Sequence, residues 1–189
     1  MSVIDELADG LPDDALVTDP ASTEAYRYDE ASFCAAGTPL VVARPKTTEQ
    51  VQHVLRVASA HRVPVVPQGA RSGLSGAANA IEGGIVLSLT GMDRILDIDP
   101  VDHVAVVEPG VRNAVLSRAV LEHGLYYPPD PSSWELSTIG GNLATNAGGL
   151  CCVKYGVTAD FVRGLEVSPR AARCCAPGGA RPRAWPGTT

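Results

Sequence analysis

The apolar positions of this chain occur in short runs that alternate with helical repeats. Apolar and polar side chains alternate at 95–98, which predicts a strand in an exposed sheet, and helical spacing predicts helices at 3–11 and 111–123, the second ending before Gly124. We predict further β-strands at four short apolar runs, which are 40–43, 63–66, 84–89 and 104–107.

A third predicted helix determines the order of the first strands. Thr47 and Gln50 have the spacing of a capping box, and apolar residues follow at helical spacing at Val51, Val54, Leu55 and Ala58. This helix joins the 40–43 and 63–66 strands, which we expect to be parallel with a right-handed connection. The later strands predict an antiparallel arrangement. The predicted fold class is therefore α+β, with a parallel β-α-β lobe and a mainly antiparallel lobe that meet at a crevice, where ligands tend to bind.

A glycine-rich loop follows the 63–66 strand. We expect this strand to end at Pro67. Gly69, Gly73 and Gly76 allow the backbone to approach a ligand closely, so that successive N–H groups converge on one anion. The spacing fits neither Gly-x-x-x-x-Gly-Lys-Ser/Thr nor Gly-x-Gly-x-x-Gly. By itself the loop is explained equally well by a phosphate site and by a tight surface turn without a ligand.

A second irregular segment covers residues 126–149. It contains three prolines, four glycines and a run of Ser, Thr and Asn, which suits a loop that offers backbone amides and hydroxyls to a polar ligand. The alternative is a Pro/Gly-rich loop with no ligand. Two such segments around one regular stretch favour a single extended ligand that both contact.

Composition narrows the functional classes. The 189 residues carry a net charge of −6 and show no basic stripe, which argues against nucleic-acid binding. No apolar stretch approaches the ~20 residues of a transmembrane helix, so we predict no transmembrane segment and a cytoplasmic location. The five cysteines have neither an even count nor Cys-x-x-Cys spacing, and we interpret them as reduced thiols. The four histidines lie outside both loops and are expected to be structural.

A series of motifs in a fixed order resembles a known family. The motifs are PQGARSGLSG at 67–76, VEPGV at 107–111, PPDPSS at 128–133, STIGGN at 137–142, NAGG at 146–149 and KYG at 154–156. Together they resemble the FAD-linked oxidases of the vanillyl-alcohol oxidase/p-cresol methylhydroxylase (PCMH) type, and are most similar to the glycolate oxidase FAD subunit and the D-lactate dehydrogenases. The resemblance covers roughly residues 38–167.

The resemblance implies an FAD site in which the first loop wraps the pyrophosphate. Some relatives attach FAD covalently through a histidine of that loop, and because none is present here, noncovalent FAD is expected. Neither a catalytic residue nor a metal ligand is predicted. The expected cofactor-binding residues are Pro67, Gly69, Ala70, Arg71, Ser72, Gly73, Leu74, Pro109, Gly110, Asp130, Ser137, Thr138, Gly140, Gly141, Thr145, Asn146 and Gly148.

Charge suggests how such a site would bind phosphate. Residues 1–167 contain 11 Lys+Arg and 21 Asp+Glu, so the overall field repels a pyrophosphate and backbone amides must attract it at short range. For Arg71, assistance to these amides and a solvated surface charge are equally good interpretations.

The resemblance also sets the expected domains. Residues 1–37 form an N-terminal helix and loop, 38–167 a truncated FAD-binding domain, and 168–189 a disordered tail that we interpret as out-of-frame translation, because it is rich in Pro and Arg and lacks Ile, Leu, Val and Phe. The fold would then be incomplete at its C-terminus.

Two functions are expected from this organisation. The first is the FAD-binding domain of an oxidoreductase that acts on a small 2-hydroxy acid, such as glycolate or D-lactate, with partner oxidase subunits. The chain would be a fragment of such an enzyme without its substrate domain. The alternative is a noncatalytic FAD- or nucleotide-binding domain.

Overall fold

The computed structural model describes residues 2–169 and contains an α+β fold with two lobes. Six helices and six strands lie in this part of the chain. They are α1 (Val3–Ala8), β1 (Leu16–Val17), α2 (Pro20–Glu24), β2 (Val41–Ala43), α3 (Thr48–His61), β3 (Val65–Gln68), β4 (Ile85–Ser88), β5 (Ile95–Asp99), β6 (Val104–Val107), α4 (Asn113–Leu121), α5 (Ile139–Thr145) and α6 (Cys152–Tyr155).

A four-stranded sheet of order β1-β2-β4-β3 forms the first lobe. β4 lies between β2 and β3 and is parallel to both. β2 and β3 therefore run parallel, as predicted, although they are not neighbours. All four residues of β4 are buried. One face of the sheet packs against α1 and α3 through a core that includes Leu7, Val41, Val54 and Ile85. These buried apolar contacts hold the lobe together.

Two details of α3 and β3 differ from the prediction. Thr47 caps α3 by accepting a hydrogen bond from the Gln50 N–H at 3.3 Å, as expected, but the Gln50 side chain accepts from the Lys46 N–H at 2.7 Å instead of completing a capping box. Arg62 ends the helix at a φ of 56°, and the Val63 N–H donates to the Ala58 carbonyl at 2.9 Å. Val63 therefore belongs to the end of the helix, and β3 begins at Val65, two residues later than predicted.

Pro67 does not end β3, as the sequence predicted, but lies inside it. β3 is at the edge of the sheet, and Pro67 is paired in register with Leu87 of β4. Proline cannot donate a backbone hydrogen bond, but an edge strand has one side without a partner, and a proline is tolerated there.

The second lobe contains the antiparallel β5–β6 pair together with α4 and α5. Its core contains Val111, Leu116, Val120 and Ile139. α4 begins at Asn113, later than predicted, because Arg112 is extended and the Val111 carbonyl accepts from the Ile139 N–H at 2.8 Å. The Ile139–Thr145 helix was predicted as irregular loop.

The N-terminal segment contains more regular structure than expected, whereas most of the predicted tail lies outside the described residues. Residues 2–37 contain β1 and α2 in addition to the predicted leading helix. The predicted disordered tail begins at 168, and its residues from 170 onward lie outside the described residues. Within residues 2–169, no helix is both long and apolar enough to cross a membrane.

Candidate functional site

The first wall of the candidate site is the loop that follows β3. The last residue of β3 is Gln68, which is buried at 1% exposure, and its side-chain Nε2 donates to the Ala78 carbonyl at 2.7 Å. This bond closes residues 69–77 into one loop. Arg71 and Gly76 have positive φ values of 58° and 71°, so the backbone turns sharply at two points within it.

The second wall is built where the β6–α4 turn meets the segment before α5. The Asn113 N–H donates to the Ser137 carbonyl at 2.9 Å, and Arg112 and Thr138 form an isolated antiparallel bridge. Thr138 then caps α5 by accepting from the Gly141 N–H at 3.3 Å. Two parts of the chain separated by about 25 residues are thus held side by side.

Gly69 is the point of contact between the two walls. A Cβ atom at Gly69 would collide with Thr138 Oγ1 and lie 3.8 Å from the Gly141 Cα. Gly140 has a similar position against the β6–α4 turn, since its Cβ would lie 2.7 Å from Pro109 Cβ. The absence of a side chain at Gly69 allows the two walls to approach each other, and at Gly140 it allows α5 to pack against the β6–α4 turn within the second wall.

A cleft of about 500 Å³ opens between the walls, within the usual size of ligand sites. Its charged groups are Arg71, Arg112 and Asp93, and its apolar surface comes from Val115 and Leu136. The complete lining is Tyr26, Gly69, Ala70, Arg71, Ser88, Thr90, Asp93, Gly110, Arg112, Val115, Leu136 and Thr138.

The first loop has free backbone donors. Among the described residues, no N–H group from Gly69 to Gly73 donates to another backbone carbonyl in a turn or loop. Arg71 carries positive charge at the same place, and its guanidinium lies 5.0 Å from the centre of the Tyr26 ring. Free N–H groups beside a cation suit an anionic ligand, so this loop fits a diphosphate.

Five of the predicted site residues line the cleft, namely Gly69, Ala70, Arg71, Gly110 and Thr138. The Gly140 N–H donates to the Pro109 carbonyl at 2.8 Å and the Gly141 N–H to Thr138 Oγ1, so these two amides serve the protein itself. The other predicted residues do not line the cleft: Pro67, Ser72, Gly73, Leu74, Pro109, Asp130, Ser137, Gly140, Gly141, Thr145, Asn146 and Gly148.

Asp130 and Ser137 precede α5 in the second irregular segment. Asp130 Oδ1 accepts from the Cys151 N–H at 3.2 Å, and a hydrogen bond to this carboxylate raises the pKa of the Cys151 thiol above its ordinary value, with burial acting in the same direction. The thiol is therefore poorly suited to act as a nucleophile. Ser137 Oγ is buried and has no hydrogen-bond partner among the described residues, but Ser137 does not line the cleft.

Sequence reasoning missed the remaining residues of the lining. Val115 belongs to the predicted apolar face of α4, but it is 44% exposed and contributes to the cleft, whereas Leu116 and Val120 are buried. Arg112 directly follows the recognised VEPGV motif, which was the available signal for it. Tyr26, Ser88, Thr90, Asp93 and Leu136 carried no such signal in the sequence.

Comparison with known proteins identifies the fold of this site. Residues 39–170 match the family model described as FAD binding domain. The chain is 47% identical over 142 residues to the glycolate oxidase subunit GlcD of Bacillus subtilis. The aligned region covers 75% of this chain and 30% of the relative. It is 42% identical over 166 residues to D-2-hydroxyglutarate dehydrogenase of Stutzerimonas stutzeri, covering 88% of this chain and 36% of the relative.

Solved structures share the architecture. An alkyldihydroxyacetonephosphate synthase superposes with a TM-score of 0.82 at 22% identity and covers 89% of this chain and 33% of that chain. A p-cresol methylhydroxylase superposes with a TM-score of 0.67 at 24% identity, covering 77% and 29%. The likeness to both shows the fold, and it confirms the predicted PCMH type. This chain spans about a third of the length of the curated relatives that it matches.

Proposed function

Because this chain belongs to the FAD binding domain family, we propose that FAD lies in the cleft between the two loops and is held there without a covalent bond. The observation that carries the proposal is that Gly69 of the first loop and Thr138 of the second line one cleft. The free N–H groups of Gly69, Ala70 and Arg71, which line the cleft, would hold the diphosphate.

The local charges support this arrangement. The chain has a net charge of −6, so long-range attraction does not favour a diphosphate. Arg71 and Arg112 bring positive charge to the cleft, while Asp93 is its acidic group. Binding through nearby N–H dipoles and one or two cations is effective only at short range, which matches a ligand enclosed between two walls.

We further propose that the complete enzyme oxidises a small 2-hydroxy acid. Relatives named as glycolate oxidase subunit and D-lactate dehydrogenase support this substrate class, with identities of 47% and 39%. Bound FAD supplies the two-electron acceptor, while the protein binds and orients the reactants. Because one relative is named as a subunit, the enzyme would also assemble with partner oxidase subunits. The cysteines among the described residues are free thiols, which supports the predicted cytoplasmic location.

A second candidate is a noncatalytic FAD-binding module. It is supported by the family match, since the matched part of this chain is the FAD binding domain. In this case the protein would bind the cofactor without turning over a substrate.

The first expected result separates the two candidates. Purified protein reconstituted with FAD should show the visible flavin absorbance band after gel filtration. If the chain is catalytic, adding glycolate or D-lactate without oxygen should bleach the band, because the flavin becomes reduced, whereas L-lactate serves as the stereochemical control. A stable band that does not bleach would support the noncatalytic module, and the loss of all flavin on gel filtration would contradict both.

The second expected result concerns the attachment of FAD. No histidine occurs in the loop at 67–76, and two of the four, His53 and His61, contact Glu6 on the opposite side of the first sheet. Acid precipitation of the reconstituted protein should therefore release all of the flavin into the supernatant. Flavin that remains in the washed pellet would show a covalent bond and overturn noncovalent binding.

A further inference from the structure

Residues 25–37, named here the N-terminal strap, lie directly behind the first loop. The strap bonds to both ends and the middle of that loop. The Glu30 N–H donates to the Gly73 carbonyl at 3.1 Å, the Ala80 N–H donates to the Arg27 carbonyl at 2.9 Å, and the Gly37 N–H donates to the Ala80 carbonyl at 2.7 Å. The strap thus follows the loop from its middle to the start of the segment before β4.

Asn79 makes the most extensive contact with the strap. Asn79 is 6% exposed, and its Oδ1 accepts from the Asp29 N–H at 2.8 Å. Its Nδ2 lies 3.4 Å from the Cys34 carbonyl and 3.3 Å from the Ala35 carbonyl and donates to both. One buried side chain therefore joins both halves of the strap to the end of the loop.

Gln68 and Arg71 bond to the beginning of the strap. The Gln68 Nε2 that closes the loop also donates to the Tyr26 carbonyl at 2.8 Å. The Arg71 guanidinium donates to the Ala25 carbonyl and covers the Tyr26 ring. Arg71 has a left-handed backbone conformation that favours glycine, with a φ of 58°. Its contacts with the strap compensate for that unfavourable conformation.

The loop depends on these contacts because the N–H groups of its first half form no backbone hydrogen bonds among the described residues. The N–H groups of Gly69 to Gly73 donate to no backbone carbonyl in the described turns and loops. Asp29 Oδ2 is a buried acceptor without a partner among the described residues, and it would lie 3.5 Å from a Cβ at Gly73. When the Asn79 side chain no longer fixes the Asp29 backbone, a loop N–H group can turn towards this acceptor and away from the cleft, since both groups gain a hydrogen bond.

We propose that the N-terminal strap is a positioning element for the cofactor, which keeps the N–H groups of the first loop directed at the cleft. The inference rests on the proposed FAD binding and extends it to residues that precede the family match, which begins at residue 39. Preorganisation of this kind raises affinity because the loop loses less freedom when the ligand binds. Asn79 is then a positioning residue that acts through the loop and contacts no cofactor.

Asn79→Ala provides the first test, with His53→Ala as the matched control. His53 Nε2 lies 2.8 Å from the Glu6 carbonyl and joins α1 to α3, away from the strap and the cleft, so its loss also destabilises the fold. FAD dissociation constants are measured by flavin fluorescence, with thermal unfolding of the flavin-free proteins in parallel. We expect Asn79→Ala to weaken FAD binding about tenfold and His53→Ala less than about twofold, although both lower the melting temperature.

Hydrogen exchange of the unsubstituted protein gives a second test that does not depend on a variant folding. Adding FAD should slow exchange at the Asp29 and Glu30 amides, which bond to Asn79 and to Gly73, and leave the Val63 amide at the end of α3 unchanged. Equal affinity losses in the two variants, or unchanged exchange in the strap, would overturn the positioning role alone. Failure of the unsubstituted protein to bind FAD would instead overturn the proposed function on which the role rests.

Discussion

Replacing Gly69 with valine should weaken FAD binding by roughly 100-fold, because side-chain atoms at this position would force the two loops apart. The added Cβ would collide with Thr138 Oγ1, and the valine methyl groups would extend beyond it into the contact with Gly141. Flavin fluorescence titration measures the loss. Gly164→Val is the matched control, because a Cβ at Gly164 meets no atom within 4 Å, and its affinity should equal that of the unsubstituted protein.

A double substitution tests the physical reason for the effect. Thr138→Ala removes the oxygen that a Cβ at Gly69 would meet, at the cost of the cap on α5. Combined with Gly69→Ala, it should lose less affinity than the sum of the two single changes, since the collision is absent in the double variant. Strictly additive losses would show that Gly69 and Thr138 do not meet in the folded protein.

Removing the Glu108 carboxylate should destabilise the second lobe by about 2 kcal/mol at neutral pH, since three hydrogen bonds depend on it. Glu108 is 7% exposed, and its oxygens accept from the Arg94 N–H at 2.8 Å and from Arg94 Nε and Nη2 at 3.1 and 2.7 Å. The free energy of unfolding of Glu108→Ala, from urea denaturation, measures the loss. Glu135→Ala, at an exposed glutamate, should be nearly neutral.

The Glu108 carboxylate should also make the free energy of unfolding depend on pH in the acidic range. The hydrogen bonds from Arg94 lower the pKa of Glu108 below its ordinary value of 4.5. Because the pKa is lower in the folded state, the ionised carboxylate stabilises the fold fully at pH values above 4.5. This stabilisation is lost as the pH falls from 4.5 through the pKa of the folded state. Glu108→Gln should flatten this part of the stability profile. An unchanged acid profile would show that Glu108 does not supply the dependence.

The sequence allowed most of the regular elements to be predicted, because their signals are local. β2, β4, β5 and β6 follow short runs of apolar or alternating residues, and the cap at Thr47 marked the start of α3. Each of these signals lies within a few consecutive positions, so neighbouring side chains suffice to reveal the element. The predicted α+β class and the parallel pairing of the first strands followed from the order of those elements.

Helix α5 could not be predicted in this way, because its sequence favours a loop. Gly140 and Gly141 lie in its first turn and weaken helix formation. The helix forms because Thr138 caps it and because Gly140 must lie against Pro109, where a larger residue would not fit. This preference depends on tertiary packing.

The residues that line the cleft and those of the strap could be identified only from the structure, for a different reason. Asp29 and Asn79 are 50 residues apart and meet through one hydrogen bond, and Tyr26 reaches the cleft only because the strap follows the first loop. The acidic N-terminal segment was predicted only as a helix and a loop, and none of its residues was expected in the site. The two loops themselves were predictable, since their glycines and prolines are unusual in composition wherever they lie.

Pro67 has a consequence for the behaviour of the protein in concentrated solution. It lies in the middle of β3, whose outer side has no neighbouring strand in the part of the chain that the structure describes. An open strand of this kind can template the addition of a strand from another molecule, which leads to aggregation. The pyrrolidine ring occupies the position of one donor in that row, so an incoming strand cannot complete its ladder there, and intermolecular sheet growth is discouraged.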